Sequence, residues 1–349
     1  MHGCNYTKLL VVIMILSARV YAMEQGAKIY VAGHEGLVGS AIVRELKNAQ
    51  YTTIITRNHH ELDLRNQLAV QLFFEKEKPE YVILAAARVG GIKANNDFPA
   101  HFIYDNMMIE ANVIHAAYMH GVKKLIFLGS SCIYPRACPQ PMREEHLLTS
   151  QLEKTNEWYA VAKIAGLKLC QAYSRQYGVK FISCMPTNLY GINDNFDLNN
   201  SHVLPALIEK FVAAKATNAP TVKLWGTGKA MREFLFVDDL AEAVVFLMNH
   251  YEDDEWINVG TGIDCSIAEV AYTIADIVGY SGQLVFDTTQ PDGTPRKLLD
   301  VSKINALGWK AKTSLREGLE KTITWYYANR YTARGNAYLR PTANAEKGL

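Results

Sequence analysis

One segment near the start of the chain restricts the fold more than any other. The apolar residues 28–32 predict a buried strand, and the pattern over residues 40–46 predicts a helix. The loop between them carries three glycines at intervals of three, Gly33, Gly36 and Gly39. A strand, a glycine loop and a helix in this order let the phosphates of a dinucleotide lie against a helix N-terminus. The segment therefore predicts the first unit of a dinucleotide-binding sheet; the alternative is a turn that binds nothing.

Strands and helices alternate after this segment. Such alternation is typical of an α/β fold with a doubly wound parallel sheet, the Rossmann architecture. After Pro186 the alternation breaks, and the remaining segments predict a smaller α+β lobe. The predicted strands lie at residues 52–56, 81–86, 124–129, 180–185, 222–225, 234–237 and 256–259, and the main helices at residues 67–77, 102–120, 158–177, 203–214, 238–249, 266–279 and 315–329.

The two ends of the chain differ from this pattern. Lys8, the apolar run 9–16 and the small residues before Met23 fit a secretory leader, but Met23 also fits a translation start. The expected division is residues 1–23 as a leader or start-site artefact, 24–188 plus 236–262 as the dinucleotide-binding domain, 189–235 plus 263–330 as the second lobe, and 331–349 as a tail.

The composition limits the function. An apolar content of 49% and a charged content of 20% are those of a globular protein in water. A formal net charge of +1 gives no electrostatic footprint for nucleic acid. The six cysteines form no Cys-x-x-Cys pair, which disfavours a metal site and fits reduced thiols. We therefore expect a cytoplasmic protein that binds no nucleic acid, metal or membrane.

A second motif lies on the predicted helix 158–177. Tyr159 and Lys163 are four residues apart and share one helix face, where the ammonium is expected to lower the pKa of the phenol. Ser130 follows the predicted strand 124–129 and can complete a proton-handling site, although it can equally cap the next turn. A Tyr-x-x-x-Lys match is weak evidence in a chain with 19 tyrosines. Combined with the glycine loop, it predicts chemistry beside a nicotinamide.

The residues after the second strand bear on the choice of cofactor. A carboxylate there would bind the ribose 2′-OH and repel a 2′-phosphate. Arg57 and His59 stand there instead, and the first carboxylate is Glu61, so NADP(H) is favoured. Glu35 in the glycine loop argues mildly the other way, and a solvated surface arginine is the alternative for Arg57. Asp63 is expected either to bind the adenine amino group or to cap a helix.

Longer motifs carry a family resemblance. The motifs are residues 31–34, 85–92, 95–96, 129–135, 186–191, 201–203 and 231–234. On these motifs the chain resembles the extended short-chain dehydrogenase/reductases, and within these the enzymes that epimerise and reduce GDP-4-keto-6-deoxy-D-mannose. The likeness runs from about Lys28 to about Tyr327. Two positions depart from it: Glu35 stands where some relatives carry a basic residue, and Lys210 stands where an arginine can hold the nucleotide sugar.

The resemblance implies a reaction in two stages. Inversion at C3 and C5 needs a base and an acid on opposite faces of the sugar, because the C4 ketone acidifies both positions. Cys132 would take the proton and His202 would return one; the alternatives are a buried apolar cysteine and a capping or core histidine. In the reduction at C4, Ser130 would bind the carbonyl oxygen and Tyr159 would donate a proton. Lys163 would bind the nicotinamide ribose.

The motifs and the resemblance together imply the binding residues. For three of these residues there are alternatives: Asn188 could only form a turn, Trp225 could belong to the core, and Arg232 could make a surface ion pair. Lys210 lacks the bidentate fork of arginine. Asn106 is expected either to support Lys163 through water or to be solvated. Cofactor contacts are expected from Gly33, Gly36, Leu37, Val38, Gly39, Arg57, Asp63, Ala86, Tyr159, Lys163, Pro186, Asn188, Leu189 and His202. Substrate contacts are expected from Asn188, Lys210, Trp225, Arg232 and Lys297.

Two other classes of function remain open. A nucleotide-sugar 4-epimerase would need no Cys132–His202 pair, and a 4,6-dehydratase would carry a glutamate close to Ser130. A non-catalytic dinucleotide-sensing scaffold would tend to lose Tyr159 or Lys163. By resemblance, the helices 102–120 and 158–177 would also form the interface of a homodimer.

Overall fold

The computed structural model describes residues 22–333 except Asn199 and Pro291. The predicted leader and most of the predicted tail lie outside the described residues. The strands are β1 (Ile29–Ala32), β2 (Ile54–Ile55), β3 (Tyr81–Leu84), β4 (Lys124–Leu128), β5 (Lys180–Pro186), β6 (Asn188–Tyr190), β7 (Thr221–Trp225), β8 (Met231–Phe236), β9 (Ile257–Val259), β10 (Asp264–Ser266), β11 (Gln283–Asp287) and β12 (Arg296–Lys297). The helices are α1 (Leu37–Asn48), α2 (Gln67–Glu77), α3 (Ile92–Asp97), α4 (Pro99–Met119), α5 (Glu157–Tyr177), α6 (Val203–Ala216), α7 (Val237–His250), α8 (Ile267–Val278), α9 (Ser302–Ala306) and α10 (Leu315–Asn329).

Six strands form one parallel sheet in the order β2-β1-β3-β4-β5-β9. Strands β1, β3 and β4 are buried throughout, as their continuous apolar sequences require in a sheet covered on both faces. Helix α1 packs with α7, and α4 packs with α2 and α5. Because β1 is flanked by β2 and β3, the winding reverses beside it, and the carboxyl end of β1 lies at a switch point where α/β proteins bind ligands. The predicted doubly wound parallel fold is confirmed.

Some predicted boundaries differ from the structure. The second strand is only Ile54–Ile55, and the long helix begins at Pro99 rather than at residue 102, because proline is well suited to a first helical position. The strand predicted at residues 234–237 is the end of β8, which belongs to a second sheet. The strand predicted at residues 256–259 is β9, at the edge of the main sheet.

The second sheet is built around β8. Strand β10 is antiparallel to β8, whereas β6 and β12 are parallel to it, and β7 pairs separately with β11. A second apolar cluster joins α6, α8 and α10 beside these strands. The late residues Leu299, Val301 and Ile304 instead pack in the core of the main sheet. Among the described helices, none is both long enough and apolar enough to cross a membrane.

Candidate active site

The glycine loop is closed by contacts that exclude side chains. Gly33 has a φ of +86°, and a Cβ there would lie 2.8 Å from the Cα of Ala86 at the end of β3. A Cβ on Gly39 would lie 2.1 Å from the carbonyl oxygen of Gly33. A Cβ on Gly36 would meet only that same oxygen, at 3.3 Å. The outer side of the turn is therefore open at Gly36, where a pyrophosphate needs close approach to the backbone.

Helix α1 begins directly behind this turn. Its N-cap residue is Gly36, which makes no side-chain capping hydrogen bond. The first N–H groups of a helix without a side-chain cap are available to an anion and carry the positive end of the helix dipole. Leu37 and Val38 are the first two helical residues. The cradle therefore fits the phosphates of a dinucleotide.

Arg57 stands at the end of β2 and is held there by the protein. Its guanidinium donates to Glu77 Oε1 and to the Thr56 carbonyl oxygen, both at 2.7 Å, and lies over the ring of Phe73. It is half-buried, so the solvated alternative is wrong, and its contact with the cofactor remains a prediction.

Asp63 follows in the next loop and does not cap a helix. It accepts hydrogen bonds from the Arg65 backbone and guanidinium, which lower the pKa of its carboxyl to about 2. Asn66 caps α2 instead. The predicted adenine contact of Asp63 remains a prediction.

Ser130 and Tyr159 come together at the carboxyl end of β4. The Ser130 hydroxyl accepts a hydrogen bond from the Cys132 N–H at 3.2 Å, so it caps the turn Ser131–Ile133, and it lies close enough to the Tyr159 phenol to oppose the effect of burial on the pKa of that phenol. The capping role considered for Ser130 is therefore realised, and its role in proton handling remains a prediction. Tyr159 is half-buried beside Phe102, with 6.5 Å between ring centroids.

Lys163 does not lower the pKa of Tyr159 as expected. Its Nζ donates to the Leu128 carbonyl oxygen at 3.0 Å and lies 3.0 Å from Glu110 Oε1, with 2% of each charged side chain exposed. Burial and the neighbouring Cys132 and Glu110 raise the pKa of the Tyr159 phenol. The expected lowering is wrong for the protein alone, because burial dominates the shift and the nearby Cys132 and Glu110 add to it.

Asn106 lies one turn before Glu110 and is fully buried. Its amide accepts a hydrogen bond from the Arg88 N–H and donates to the carbonyl oxygens of Arg88 and Phe102. The solvated alternative for Asn106 is wrong. Asn106 instead ties the loop after β3 to α4.

Cys132 is half-buried beside the same phenol. The short turn after Ser130 places its sulfur close enough to influence the pKa values of Tyr159 and Arg232. The thiol is therefore not enclosed in the apolar core, which was the alternative reading.

His202 occupies the N-cap position of α6, but its side chain makes no capping hydrogen bond. The residues before it hold the loop against the chain after β3, since the Gly91 N–H donates to the Asn200 carbonyl oxygen at 3.0 Å. The imidazole is exposed, although surrounding protein displaces part of its hydration and lowers its pKa. Its place opposite Cys132 across a bound sugar remains a prediction.

Asn188 is not in a turn, because it begins β6. Its amide donates to the Glu233 carbonyl oxygen at 2.8 Å, which fixes the connection between the main sheet and β8. Pro186 ends β5, and Leu189 follows Asn188 in β6, so the three residues lead away from the carboxyl edge of the sheet.

Arg232 and Lys297 are neighbours on paired strands. They face each other in the register of β8 and β12. The Arg232 guanidinium donates to the carbonyl oxygens of Met231 and Asp292. Burial lowers its pKa, and Asp292 opposes that shift. A half-buried cation next to Cys132 can hold a diphosphate.

Lys210 on α6 and Trp225 on β7 belong to two elements that contact each other. Lys210 Nζ donates to the Lys223 carbonyl oxygen at 3.2 Å, which brings α6 against β7. Trp225 ends β7 and is 61% exposed, so the core alternative is wrong and its indole face is free for stacking among the described residues.

Two buried carboxylates near the site escaped sequence reasoning. Glu110 lies on the same helix face as Phe102 and Asn106, at intervals of four residues. Two polar residues, Asn106 and Glu110, on an otherwise apolar face were the sequence signal that could have identified Glu110. Glu233 is fully buried, and its carboxylate accepts backbone N–H groups from Thr261, Gly262 and Leu299.

Fold and site together define a dinucleotide-dependent oxidoreductase of the short-chain dehydrogenase/reductase type. The glycine cradle follows the first strand of the parallel sheet, and Ser130, Tyr159 and Lys163 lie near one another at the carboxyl edge of that sheet. A family model described as the NAD dependent epimerase/dehydratase family matches residues 29–260, and the chain belongs to this family. The resemblance stated from the motifs is confirmed.

Individual relatives are similar over nearly their whole length. A putative GDP-L-fucose synthase 2 of Arabidopsis thaliana is 60% identical over 309 residues, which cover 88% of this chain and 94% of that protein. The GDP-L-fucose synthase of Escherichia coli (strain K12) is 53% identical over 318 residues, covering 88% and 99%. The structure of a GDP-L-fucose synthetase from Naegleria fowleri bound to NADP superposes with a TM-score of 0.84 at 33% identity, covering 90% and 96%.

Proposed function

We propose that the protein converts GDP-4-keto-6-deoxy-D-mannose to GDP-L-fucose by epimerisation at C3 and C5 and NADPH-dependent reduction at C4. The relatives named above support this reaction. The observation that carries it is the meeting of Ser130, Cys132 and Tyr159 at one end of β4, because one pocket then holds both a thiol and a phenol. The motifs and the relatives favour none of the three alternatives, which are a 4-epimerase, a 4,6-dehydratase and a non-catalytic scaffold.

Each residue of the site has a separate role in the proposed reduction. The glycine cradle holds the pyrophosphate, and Arg57 is the residue proposed for the 2′-phosphate. NADPH, when bound, supplies the hydride that C4 receives. Ser130 donates a hydrogen bond to the carbonyl oxygen, where charge develops, and Tyr159 gives it a proton. The raised pKa of Tyr159 keeps the phenol protonated and so able to act as an acid.

Epimerisation uses the same pocket before reduction. Cys132, acting as a thiolate, removes the proton from C3, while the C4 oxygen receives the charge and is stabilised by Ser130 and Tyr159. His202, acting as an imidazolium, returns a proton on the opposite face. Proton exchange with water restores the thiolate and the imidazolium before the same inversion at C5. Arg232 and Lys297 hold the diphosphate, with Lys210 beside the guanosine and Trp225 stacked on guanine. Asn188 orients the sugar.

The direct test is to add GDP-4-keto-6-deoxy-D-mannose and to follow the absorbance of NADPH or NADH. We expect oxidation of NADPH, with a loss of about 10²–10⁴-fold in rate for Tyr159→Phe, the range for a missing general acid. Tyr173→Phe is the matched control and should retain the rate. Tyr173 lies on the same helix, and its hydroxyl is hydrogen-bonded to His115. Absence of oxidation of either cofactor by the unaltered protein would reject the reductase function.

The protein is also proposed to act as a homodimer in the cytoplasm, where it draws on the NADPH pool. Support comes from helices α4 and α5, which pack together and both expose large apolar side chains. These are Tyr104, Met107, Met119, Trp158, Val161 and Tyr177. Two such helices from each of two protomers would form a four-helix interface.

A further inference from the structure

A buried carboxylate lies beside the lysine of the Tyr-x-x-x-Lys pair. Glu110 extends from α4 and Lys163 from α5, and Oε1 is 3.0 Å from Nζ with only 2% of either side chain exposed. Phe102, two turns before Glu110, contacts Tyr159, and Asn106, one turn before Glu110, contacts the loop after β3. One face of α4 therefore lines the wall of the catalytic site.

Stability alone does not account for this ion pair. Removing two charges from water costs about as much as their attraction returns, so apolar residues of similar volume are often equally stable. Among the described residues, Oε2 of Glu110 has no hydrogen-bond donor, which adds to the cost. The neighbouring helix also leaves room for it, since a Cβ on Gly166 would lie 2.6 Å from Oε2. A carboxylate retained at this cost is expected to act on Lys163.

The donors of Lys163 can be accounted for one by one. An ammonium has three N–H groups. One points to the Leu128 carbonyl oxygen at 3.0 Å. The Glu110 carboxylate faces the ammonium as an ion pair, with Oε1 3.0 Å from Nζ, and Nζ lies 5.8 Å from the centre of the Tyr159 ring. We propose that Glu110 is a positioning residue that holds the Lys163 ammonium charged and fixes it against β4. The third N–H is then directed to the nicotinamide ribose and to Tyr159.

The other titratable groups near the pair do not supply its counter-charge. They are Tyr159 and Cys170 on α5 and Cys184 on β5. Burial raises the pKa of each of the two thiols to about 12, so both are neutral at working pH. Strand β4 contributes a carbonyl oxygen and the ring of Phe127. Burial raises the pKa of the Glu110 carboxyl, and the Lys163 ammonium opposes that shift.

The test variant is Glu110→Gln, which keeps the shape of the side chain and removes its charge. A buried lysine without a neighbouring anion loses its proton at lower pH. We expect the alkaline limb of kcat/KM to move down by about one pH unit or more, and kcat to fall about tenfold with a smaller change in the KM for NADPH. Glu110→Asp keeps the charge and should restore most of the pH profile. This kinetic arm rests on the proposed function.

A second measurement is independent of the reaction. In the full chain labelled with ¹³C-lysine, the Cε resonance of Lys163, assigned with Lys163→Met, should titrate at lower pH in Glu110→Gln than in the unaltered protein. This arm needs no substrate, so it separates a failure of the inference from a failure of the proposed function.

Glu209→Gln is the matched control. Glu209 is a buried carboxylate that accepts a hydrogen bond from Tyr326 in the second apolar cluster. Its loss should lower stability without moving the Lys163 titration or the alkaline limb. An unchanged Lys163 titration in Glu110→Gln, or an equal shift in Glu209→Gln, would overturn the inference.

Discussion

Arg57 supports the fold and is also proposed to decide the choice of cofactor. Its guanidinium is fixed after β2 by Glu77 and Thr56, and the end of the second strand is where dinucleotide-binding sheets contact the adenosine ribose. A cation that is already oriented loses little entropy when it binds a 2′-phosphate.

We predict that Arg57→Gln raises the KM for NADPH about tenfold or more, because a charge-assisted hydrogen bond is lost, and leaves the KM for NADH nearly unchanged. Steady-state kinetics with both cofactors measures this. Glu77→Gln is the control: it removes the partner of Arg57 but not the cation, and should retain the preference for NADPH. Equal losses with both cofactors in Arg57→Gln would show that the residue acts only on the fold.

The glycine loop and α1 act as one element. Because Gly39 approaches the backbone of Gly33, Gly39→Ala must push the first turn of α1 away from the loop. We predict a loss of about 1–3 kcal/mol in the free energy of unfolding, the range for overpacking, together with loss of NADPH binding. Urea unfolding and isothermal titration measure the two effects.

Gly26→Ala is the matched control, since a Cβ there would meet no atom within 4 Å. It should be neutral in both measurements. If Gly39→Ala bound NADPH as tightly as the unaltered chain, the close approach would have no role in the cradle.

Strand β4 and the end of α7 are joined by a buried lysine. Lys124 Nζ donates to the carbonyl oxygens of Leu247 and Met248 at 3.1 and 2.7 Å, and burial lowers its pKa to about 8. An unfolded lysine keeps its proton to about pH 10, so between about pH 8 and 10 the unfolded state binds more protons than the folded state. This group therefore makes the free energy of unfolding rise with pH in that window.

We predict that Lys124→Met removes this rise. Urea unfolding of both proteins between about pH 7.5 and 9.5 measures it, and the other ionisable groups cancel in the difference. Parallel stability curves for the two proteins would contradict the lowered pKa.

The elements that local patterns specify could be predicted from the sequence. The buried strands, the glycine loop and the helix bearing Tyr159 and Lys163 each follow from the spacing of residues near one another. The Glu110–Lys163 pair could not be predicted, because it depends on how α4 and α5 pack. The sheet to which β8 belongs could not be identified from the sequence either, since an apolar strand pattern does not indicate the strands with which it pairs. The face-to-face placement of Cys132 and His202, and the division into domains, remain predictions.

At the scale of the whole molecule, the exposed side of α4 and α5 is the proposed contact between protomers. Tyr104 on α4 is 61% exposed, and a glutamate there would place a charge in an apolar interface. We predict that Tyr104→Glu shifts the dimer to monomer in sedimentation equilibrium. Tyr272→Glu, at a 57% exposed tyrosine on α8, should remain a dimer. A dimer that persists in Tyr104→Glu would place the contact elsewhere.

The central claim is that one pocket both inverts and reduces the sugar, and deuterium uptake from solvent tests it most directly. In D₂O with GDP-4-keto-6-deoxy-D-mannose and NADPH, the product should be GDP-L-fucose with deuterium at both C3 and C5. Cys132→Ser should lower that uptake by about 10²–10⁴-fold while NADPH binding is retained, and Cys138→Ser should leave both unchanged. NADPH oxidation without deuterium at C3 and C5, or full uptake in Cys132→Ser, would contradict the account.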